Sequence, residues 1–287
     1  MDDFTNRLIH LHHCRGISWK TIYTILKADP ELKSLYCSKL DDFILQKNSS
    51  NTILNDLHSN LIHKQIQQYS LSNIRMITIF DEDYPPLLKE TYQPPWVIYA
   101  KGEVGLLNKE HLLAVVGSRQ YTEYGEQAIN FLLPKLIEKG VVIVSGLAKG
   151  IDTIAHHSSI RNNGKTIAVI AGGLFHIYPN TNKGLAAEMM ESQLIISEYP
   201  PHTKPDKWHF PMRNRIISGI SKGTLIIQAK SKSGSLITAN YAVQEGREVF
   251  ALPGSIFSQY SGGTNELIQQ GAKLVNTAED ILEELIY

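Results

Sequence analysis

Six short apolar runs alternate with segments of helical periodicity between Leu112 and Leu252, and this alternation restricts the fold more than any other feature. The runs predict strands at residues 112–116, 141–144, 166–171, 194–197, 224–229 and 248–252. After the first run, apolar residues recur at three- and four-residue spacing from Ala128 to Ile137, which is typical of a helix. Strands with such short helical connections must lie parallel and be joined by right-handed crossovers. The sequence therefore predicts a Rossmann-like, doubly wound and mostly parallel α/β sheet.

The first 70 residues have a different pattern. They contain one glycine, Gly16, and the apolar residues between 53 and 66 recur at three- and four-residue spacing. Ser18 is placed to cap a helix, and Ser38–Asp41 resembles a capping box with aspartate in the place of glutamate. These features predict a small all-helical accessory domain over residues 1–72.

The domain junction is predicted just after this helical region. Met76–Ile79 has the composition of a strand, whereas Asp83–Leu88 and Gln93–Tyr99 are proline-rich. We therefore expect the two proline-rich segments to be connectors, and the Rossmann-like domain to occupy residues 73–287.

Bulk charge and the cysteine count exclude several classes of protein. The 287 residues include 28 Lys and Arg and 28 Asp and Glu, so binding to a polyanion requires a local basic patch. Two cysteines provide neither a disulfide framework nor a zinc set. His10, His12, His13 and Cys14 are close neighbours on a predicted helix and cannot all face one ion, so no metal or other cofactor is predicted.

No apolar run approaches the ~18 residues of a membrane span, and no apolar signal region opens the chain, so a cytoplasmic location is expected.

One local stretch provides the basic patch. Between Lys204 and Lys232 the sequence has seven lysines and arginines and a single acid, Asp206. Trp208, His209 and Phe210 lie within this stretch. Cations interleaved with flat rings suit a polyanion that has exposed bases. The alternative is a solvated loop followed by a core helix.

Polar and glycine-rich loops follow three of the predicted strands. In a doubly wound sheet, ligands bind beyond the carboxyl ends of the strands. Backbone N–H groups at helix starts favour anions, and arginine binds phosphate through two parallel hydrogen bonds. Short βα turns also use glycine and serine for steric reasons, but their convergence beside the basic stretch predicts an anion site. The loops are Gly117-Ser118-Arg119, Ser145-Gly146 with Lys149, and Ser233-Gly234-Ser235.

Enzymatic motifs are poorly represented. The sequence has neither the dinucleotide-binding glycine fingerprint nor a Walker lysine motif. Ser145, Asp152 and His156 could be combined into a triad, but no Gly-x-Ser-x-Gly elbow supports it, and a helix-start acid with a packed histidine fits equally well. No catalytic residue is predicted, and we expect a protein that is not an enzyme. The alternatives are a nucleotide or phosphoribosyl hydrolase, suggested by Ser261–Thr264, and a protein-interaction scaffold.

Many separate blocks between residues 74 and 275 resemble the DNA-processing protein A (DprA, or Smf) family. The blocks are Val115–Arg119, Ser145–Asp152, Ala155–His156, Tyr178–Pro179, Ser197–Pro201, Phe210–Ile217, Ser233–Ala239, Arg247–Gly254 and Gly263–Ile268. Gln228 and Phe175 depart from acids that are common in the family. The resemblance implies an extended Rossmann domain that binds single-stranded DNA, forms a homodimer and delivers the strand to RecA during natural transformation. It also implies a helical, SAM-like N-terminal domain. Many relatives add a C-terminal winged-helix module, which we do not expect in this chain.

The resemblance also implies roles for individual residues. Arg119 corresponds to an arginine that holds phosphate, and Lys207 with Phe210 to a pair that grips backbone and base. Arg213 and Asn214 match the neighbouring Arg-Asn of the family. The predicted DNA-binding set is Gly117, Ser118, Arg119, Ser145, Gly146, Lys149, Lys207, Phe210, Arg213, Asn214, Arg215, Ser233, Gly234 and Ser235. For the dimer we expect a surface in the C-terminal half of the sheet domain, around Thr224–Pro253, because an exposed edge strand or apolar face there must be covered.

Overall fold

The computed structural model describes residues 2–36 and 50–286, so Cys37 and the predicted capping box at Ser38–Asp41 lie outside the described residues. The helices are α1 (Asp3–His13), α2 (Trp19–Ala28), α3 (Ser50–Leu57), α4 (Asn60–Leu71), α5 (Pro86–Lys89), α6 (Glu123–Glu138), α7 (Ile151–Arg161), α8 (Lys183–Ser192), α9 (His209–Gly219), α10 (Gly234–Gln244), α11 (Gly262–Gln269) and α12 (Glu279–Leu285). The strands are β1 (Arg75–Thr78), β2 (Val97–Gly102), β3 (Leu112–Val116), β4 (Val142–Ser145), β5 (Thr166–Val169), β6 (Leu194–Ser197), β7 (Gly223–Ile226), β8 (Glu248–Ala251) and β9 (Lys273–Leu274). Short 3₁₀ turns occur at Val104–Asn108 and Asn180–Asn182. None of the helices in these ranges is long and apolar enough to cross a membrane.

In the described residues, nine strands form one sheet in the order β1-β2-β6-β5-β4-β3-β7-β8-β9. β2 pairs antiparallel with both β1 and β6, and the remaining neighbours are parallel. The predicted doubly wound, mostly parallel, Rossmann-like sheet is therefore confirmed. The strands predicted at 112–116 and 194–197 agree with β3 and β6 at both ends.

Successive residues of the central strand β3 face opposite sides of the sheet, as strand geometry requires. Leu113 and Val115 pack in a core with residues of α6 and α12. Ala114 and Val116 pack in a second core with residues of α9 and α10. Because helices cover both faces, the strand is apolar along its whole length, and this explains the continuous apolar run in the sequence.

The connector predicted at Gln93–Tyr99 is wrong in its second half, because Val97 begins strand β2. The four residues 97–100 are all at most 1% exposed, and they lie between β1 and β6. The prolines at positions 94 and 95 immediately precede the strand and give the segment the local composition of a loop. Burial between two neighbouring strands outweighs that local signal.

Helices α1 to α4 pack against the sheet and share a core with it. Tyr69 of α4 and Tyr99 of β2 belong to one apolar cluster with residues of α1 and β6. The Trp19 indole nitrogen donates to the Pro94 carbonyl at 2.8 Å, and the Trp96 indole nitrogen donates to the Trp19 carbonyl at 3.1 Å. The two indole rings stack with their centroids 5.1 Å apart. Apolar burial and these two hydrogen bonds therefore join the helical region to the sheet.

The histidine-rich end of α1 takes part in this packing. His10, His12 and His13 each lie within hydrogen-bond distance of a tyrosine hydroxyl, at 2.9, 3.0 and 3.2 Å, from Tyr36, Tyr99 and Tyr69 respectively. Burial lowers the pKa of His12 to about 3, and the pKa values of His10 and His13 to about 4. The three rings are therefore neutral near pH 7. Over the described ranges, no group of three or more His, Cys, Asp or Glu residues could hold a metal ion.

Candidate nucleic-acid interface

A groove opens at the carboxyl edge of the sheet, between β3 and β7. The chain runs from β3 to β4 on one side and later returns to β3 through β7 on the other. This is the topological switch point, where open α/β sheets bind their ligands. The groove is lined by residues from the turns after β3, β4 and β7 and from the start of α9, including Gly117, Ser118, Arg119, Asp152, Lys207, Phe210, Arg213, Asn214, Lys230, Ser233, Gly234 and Ser235. A smaller pocket adjoins it and is lined by residues that include Arg119, Gly146, Lys149, Gly172, His176, Tyr178, Phe210 and Arg213.

The turns after β3 and β4 pack backbone against backbone. The amide of Ile151, the first residue of α7, donates to the Ser118 carbonyl at 3.2 Å. Gly150, which precedes it, has a φ of 84°, and a Cβ there would overlap the Ser118 carbonyl oxygen. Only glycine takes up this backbone conformation without strain. This close contact fixes the position of the loop that carries Arg119.

Phe210 contacts both a cation and a second aromatic ring. The guanidinium carbon of Arg119 is 5.7 Å from the Phe210 ring centroid, which is within the range of cation–π attraction. Tyr178 packs against Phe210 in a T-shaped arrangement, with the ring centroids 5.6 Å apart. Sequence reasoning assigned no binding role to Tyr178, although its Tyr-Pro motif follows β5 towards the same sheet edge. Arg119 and Lys207 are exposed, so their charges are available to a ligand.

A buried ion pair underlies the groove. Arg213 Nη1 lies 4.0 Å from Asp152 Oδ2, and both side chains are less than a tenth exposed. The same Asp152 oxygen accepts hydrogen bonds from the amides of Gly146 and Ala148, at 3.1 and 3.4 Å. A Cβ at position 146 would overlap the Arg213 guanidinium, so this glycine makes room for the cation. Asp152 thus holds both the loop after β4 and the arginine beneath it.

The net charge of the groove and the adjoining pocket is positive. Burial raises the pKa of Asp152, and the facing Arg213 opposes that shift. Burial lowers the pKa of Arg213 to about 10, so the guanidinium remains protonated at neutral pH. Among the lining residues, the five cations Arg119, Lys149, Lys207, Arg213 and Lys230 are opposed by a single carboxylate, that of Asp152. Such a surface attracts anionic ligands and disfavours cationic ones.

Two residues of the predicted DNA-binding set are not brought to the groove. The Ser145 hydroxyl is fully buried and donates to the Val115 carbonyl at 2.6 Å. Arg215 is turned to the other side of α9, where it forms an ion pair with Glu198 and donates to the Gln93 carbonyl at 2.9 Å. The remaining twelve predicted residues line the groove or the pocket beside it.

The residues of the possible triad are bound to separate partners. Ser145 bonds to a strand carbonyl and Asp152 to the loop amides described above. His156 Nδ1 lies 2.7 Å from the Thr166 hydroxyl, and burial lowers the pKa of His156 to about 3. The three side chains therefore form no serine–histidine–aspartate relay in this structure.

The fold and the groove together define a Rossmann-like α/β protein with a basic groove at its switch point. Residues 75–286 match the family model of DNA recombination-mediator protein A, and the chain belongs to that family.

Characterised relatives agree with this assignment. The chain is 48% identical to the DNA processing protein DprA of Bacillus subtilis over 261 residues, which cover 90% of this chain and 88% of the relative. It is 45% identical to the protein Smf of Escherichia coli over 214 residues, which cover 74% of this chain and 57% of that protein.

Two solved structures are similar as well. The X-ray structure of DNA processing protein A from Streptococcus pneumoniae superimposes with a TM-score of 0.88 at 37% identity, over the full length of both chains. The Helicobacter pylori DNA processing protein A has a TM-score of 0.68 at 32% identity, and covers 74% of this chain and 95% of its own. That second structure describes a single-stranded DNA binding mode of the H. pylori protein.

Proposed function

We propose that this protein binds single-stranded DNA in the groove between β3 and β7 and acts as a recombination mediator without enzymatic activity of its own. The observation that carries the proposal is that Arg119, Lys207 and Phe210 line one groove at the switch point of the sheet, with the Arg119 guanidinium carbon 5.7 Å from the Phe210 ring centroid. Family membership supports the mediator role. The single-stranded DNA bound by the H. pylori relative supports the choice of ligand.

The chemistry of the groove favours a single strand over a duplex. Lys207 and Arg119 supply exposed cations for phosphate groups, while Phe210 and Tyr178 supply faces and edges of rings at the same place. Each base of a single strand has a free face that can stack on such a ring. In a duplex these faces are covered by the neighbouring base pairs, so only the phosphate contacts remain.

The first prediction concerns the two exposed cations. Lys207→Ala and Arg119→Ala should each weaken binding to a dT oligonucleotide and reduce the slope of log K against log salt by about 0.7 per lost phosphate contact. Fluorescence anisotropy titrations at four salt concentrations would measure both quantities. Lys139→Ala is the matched control, because Lys139 is exposed at the end of α6, at the opposite edge of the sheet. Wild-type affinity and salt slope in both groove variants would contradict the proposed site.

A nucleotide or phosphoribosyl hydrolase is the alternative function. Its supporting motif, Ser261–Thr264, lies at the start of α11, where the Thr264 hydroxyl donates to the Ser261 carbonyl at 3.1 Å. None of these four residues lines the groove with Arg119. Incubation with nucleoside monophosphates distinguishes the two functions, since release of free base would favour the hydrolase.

We further propose that the protein acts in the cytoplasm, during natural transformation, by helping RecA to load on incoming single strands. A mediator must hold the strand while the recombinase displaces competing proteins, which requires direct contact with RecA. Strand-exchange rates that are equal with and without this protein would contradict the role, even if DNA binding is observed.

We also propose a homodimer formed through the C-terminal half of the sheet domain. Ile256 and Phe257 are 84% and 93% exposed, and Leu274 of the edge strand β9 is 39% exposed. The Asn265 side chain fixes the loop that carries Ile256 and Phe257, through bonds to the amide and carbonyl of Gly254. Exposed apolar loops and open sheet edges are each typical of a surface that is covered in an assembly.

The second prediction tests this dimer surface. Phe257→Glu should convert the dimer into a monomer at micromolar concentration, because a carboxylate would be buried without a partner in the interface. Sedimentation velocity would measure the change. Phe131→Glu is the control, since Phe131 is 67% exposed on α6 and lies outside the proposed surface. A wild-type protein that sediments only as a monomer would contradict the proposal.

A further inference from the structure

Trp208 is an exposed indole next to the groove that the site described above does not use. It follows Lys207, which lines the groove, and it is the residue before α9. Its side chain is 60% exposed. Burial of a large aromatic side chain stabilises a fold, and the free protein obtains little of that stabilisation from Trp208.

The indole is nevertheless held in place by its surroundings. The backbone amide of Trp208 donates to Asp206 Oδ1 at 3.4 Å, so the one acid of the basic stretch is engaged in this turn. His209 packs edge-on against the indole with ring centroids 4.2 Å apart. His209 in turn stacks on Tyr199 at 3.9 Å, and its Nδ1 lies 3.0 Å from the Ala171 carbonyl. Three aromatic residues thus form a supported cluster, in which Trp208 is the exposed member.

Charge and position together favour a nucleic-acid strand as the ligand of this cluster. Lys204 and Lys207 are exposed on either side of Asp206. The first turn of α9 adds backbone N–H groups and the positive end of its dipole. Consecutive Cα atoms lie about 3.8 Å apart, so the Trp208 ring and the Lys207 ammonium are within reach of neighbouring nucleotides of one strand.

We propose that Trp208 is a stacking platform for a nucleobase of single-stranded DNA, next to the nucleotide whose phosphate pairs with Lys207. The proposal rests on the proposed function and extends the binding surface past Phe210, across the start of α9. A flat indole stacks on every base, so this platform adds affinity without sequence preference.

The positions of the other two tryptophans allow base stacking on Trp208 to be followed by intrinsic fluorescence. The sequence has three tryptophans, and Trp19 and Trp96 stack on each other where α2 meets the sheet. Base stacking on Trp208 should therefore quench part of the intrinsic fluorescence when an oligonucleotide binds. Trp208→Phe should lose that quenching but keep affinity within about threefold, because a phenyl ring also stacks.

Trp208→Leu removes the ring and should weaken binding of a dT oligonucleotide by about 5- to 150-fold, with an unchanged salt slope. Phe131→Leu, which removes an exposed ring on α6, should bind like wild type. One outcome would overturn the platform alone. In that outcome Lys207→Ala still weakens binding, but Trp208→Leu binds DNA as tightly as wild type and DNA quenches no tryptophan fluorescence. If neither wild type nor any variant bound single strands, the proposed function would fail together with the platform.

Discussion

Arg215→Ala is expected to lower the free energy of unfolding by about 3–5 kcal/mol and to leave the single-strand affinity of the folded protein unchanged. Arg215 forms an ion pair with Glu198, and both side chains are less than a fifth exposed. Removal of the arginine leaves a buried carboxylate without its partner, which is the costly way to break such a pair. Urea denaturation would measure the loss of stability, and anisotropy titration the affinity.

A double variant separates this structural role from a DNA contact. Arg215→Met combined with Glu198→Leu removes both charges, so most of the lost stability should return. Lys207→Ala is the opposite control, because an exposed lysine contributes little to stability but directly to binding. A stable Arg215→Ala protein that binds DNA poorly would show that Arg215 faces the ligand after all.

Phe210→Ala should weaken single-strand binding by about 1–3 kcal/mol while the salt slope stays near that of wild type. The reason is that base stacking contributes surface contact and releases no counterion. Because a duplex hides its base faces, the variant should also lose preference for single strands more than Lys207→Ala does. Paired titrations with single-stranded and double-stranded oligonucleotides of equal length would measure the preference.

A purely structural role of Phe210 makes a different prediction. The ring contacts Tyr178 and the Arg119 guanidinium, so its removal could loosen the loop after β3. In that case the melting temperature would fall and both forms of DNA would bind more weakly by the same factor. Phe210→Leu keeps apolar volume but has no flat face. If the role of Phe210 is structural, this variant should restore the melting temperature and the binding of both DNA forms. If a base stacks on Phe210, it should not restore the stacking contact.

The sequence predicts the central sheet well because buried parallel strands are apolar along their whole length. β3 and β6 are bounded by polar or glycine residues, so both of their ends are visible in the sequence. β2 was missed because Pro94 and Pro95 precede it, and β9 because a two-residue strand has no periodicity. Helices α8, α11 and α12 were also missed. The formation of these three helices depends on contacts with strands distant in sequence, which local patterns do not reveal.

The sequence predicts which loops form the candidate site, but not how their side chains are arranged. The local concentration of charge placed Arg213 and Arg215 in one site, yet residues two apart on a helix point about 200° from each other. The structure places Arg213 beneath the groove and Arg215 on the opposite side, against Glu198. Helical periodicity applied to α9 would have separated the two arginines. The buried partner of each one could not be read from the sequence.

The position of β3 between β4 and β7 has a consequence for synthesis and folding. The groove draws its residues from segments that are more than a hundred positions apart along the chain, from Gly117 to Ser235. Contacts of such long sequence separation require large loops to close, so they form slowly and late. A nascent chain that ends before β7 contains Arg119, Lys207 and Phe210 but lacks Lys230 and the serine-rich loop that form one wall of the groove. Binding of a single strand would therefore report on completed folding, and an incomplete chain emerging from the ribosome would not compete for DNA.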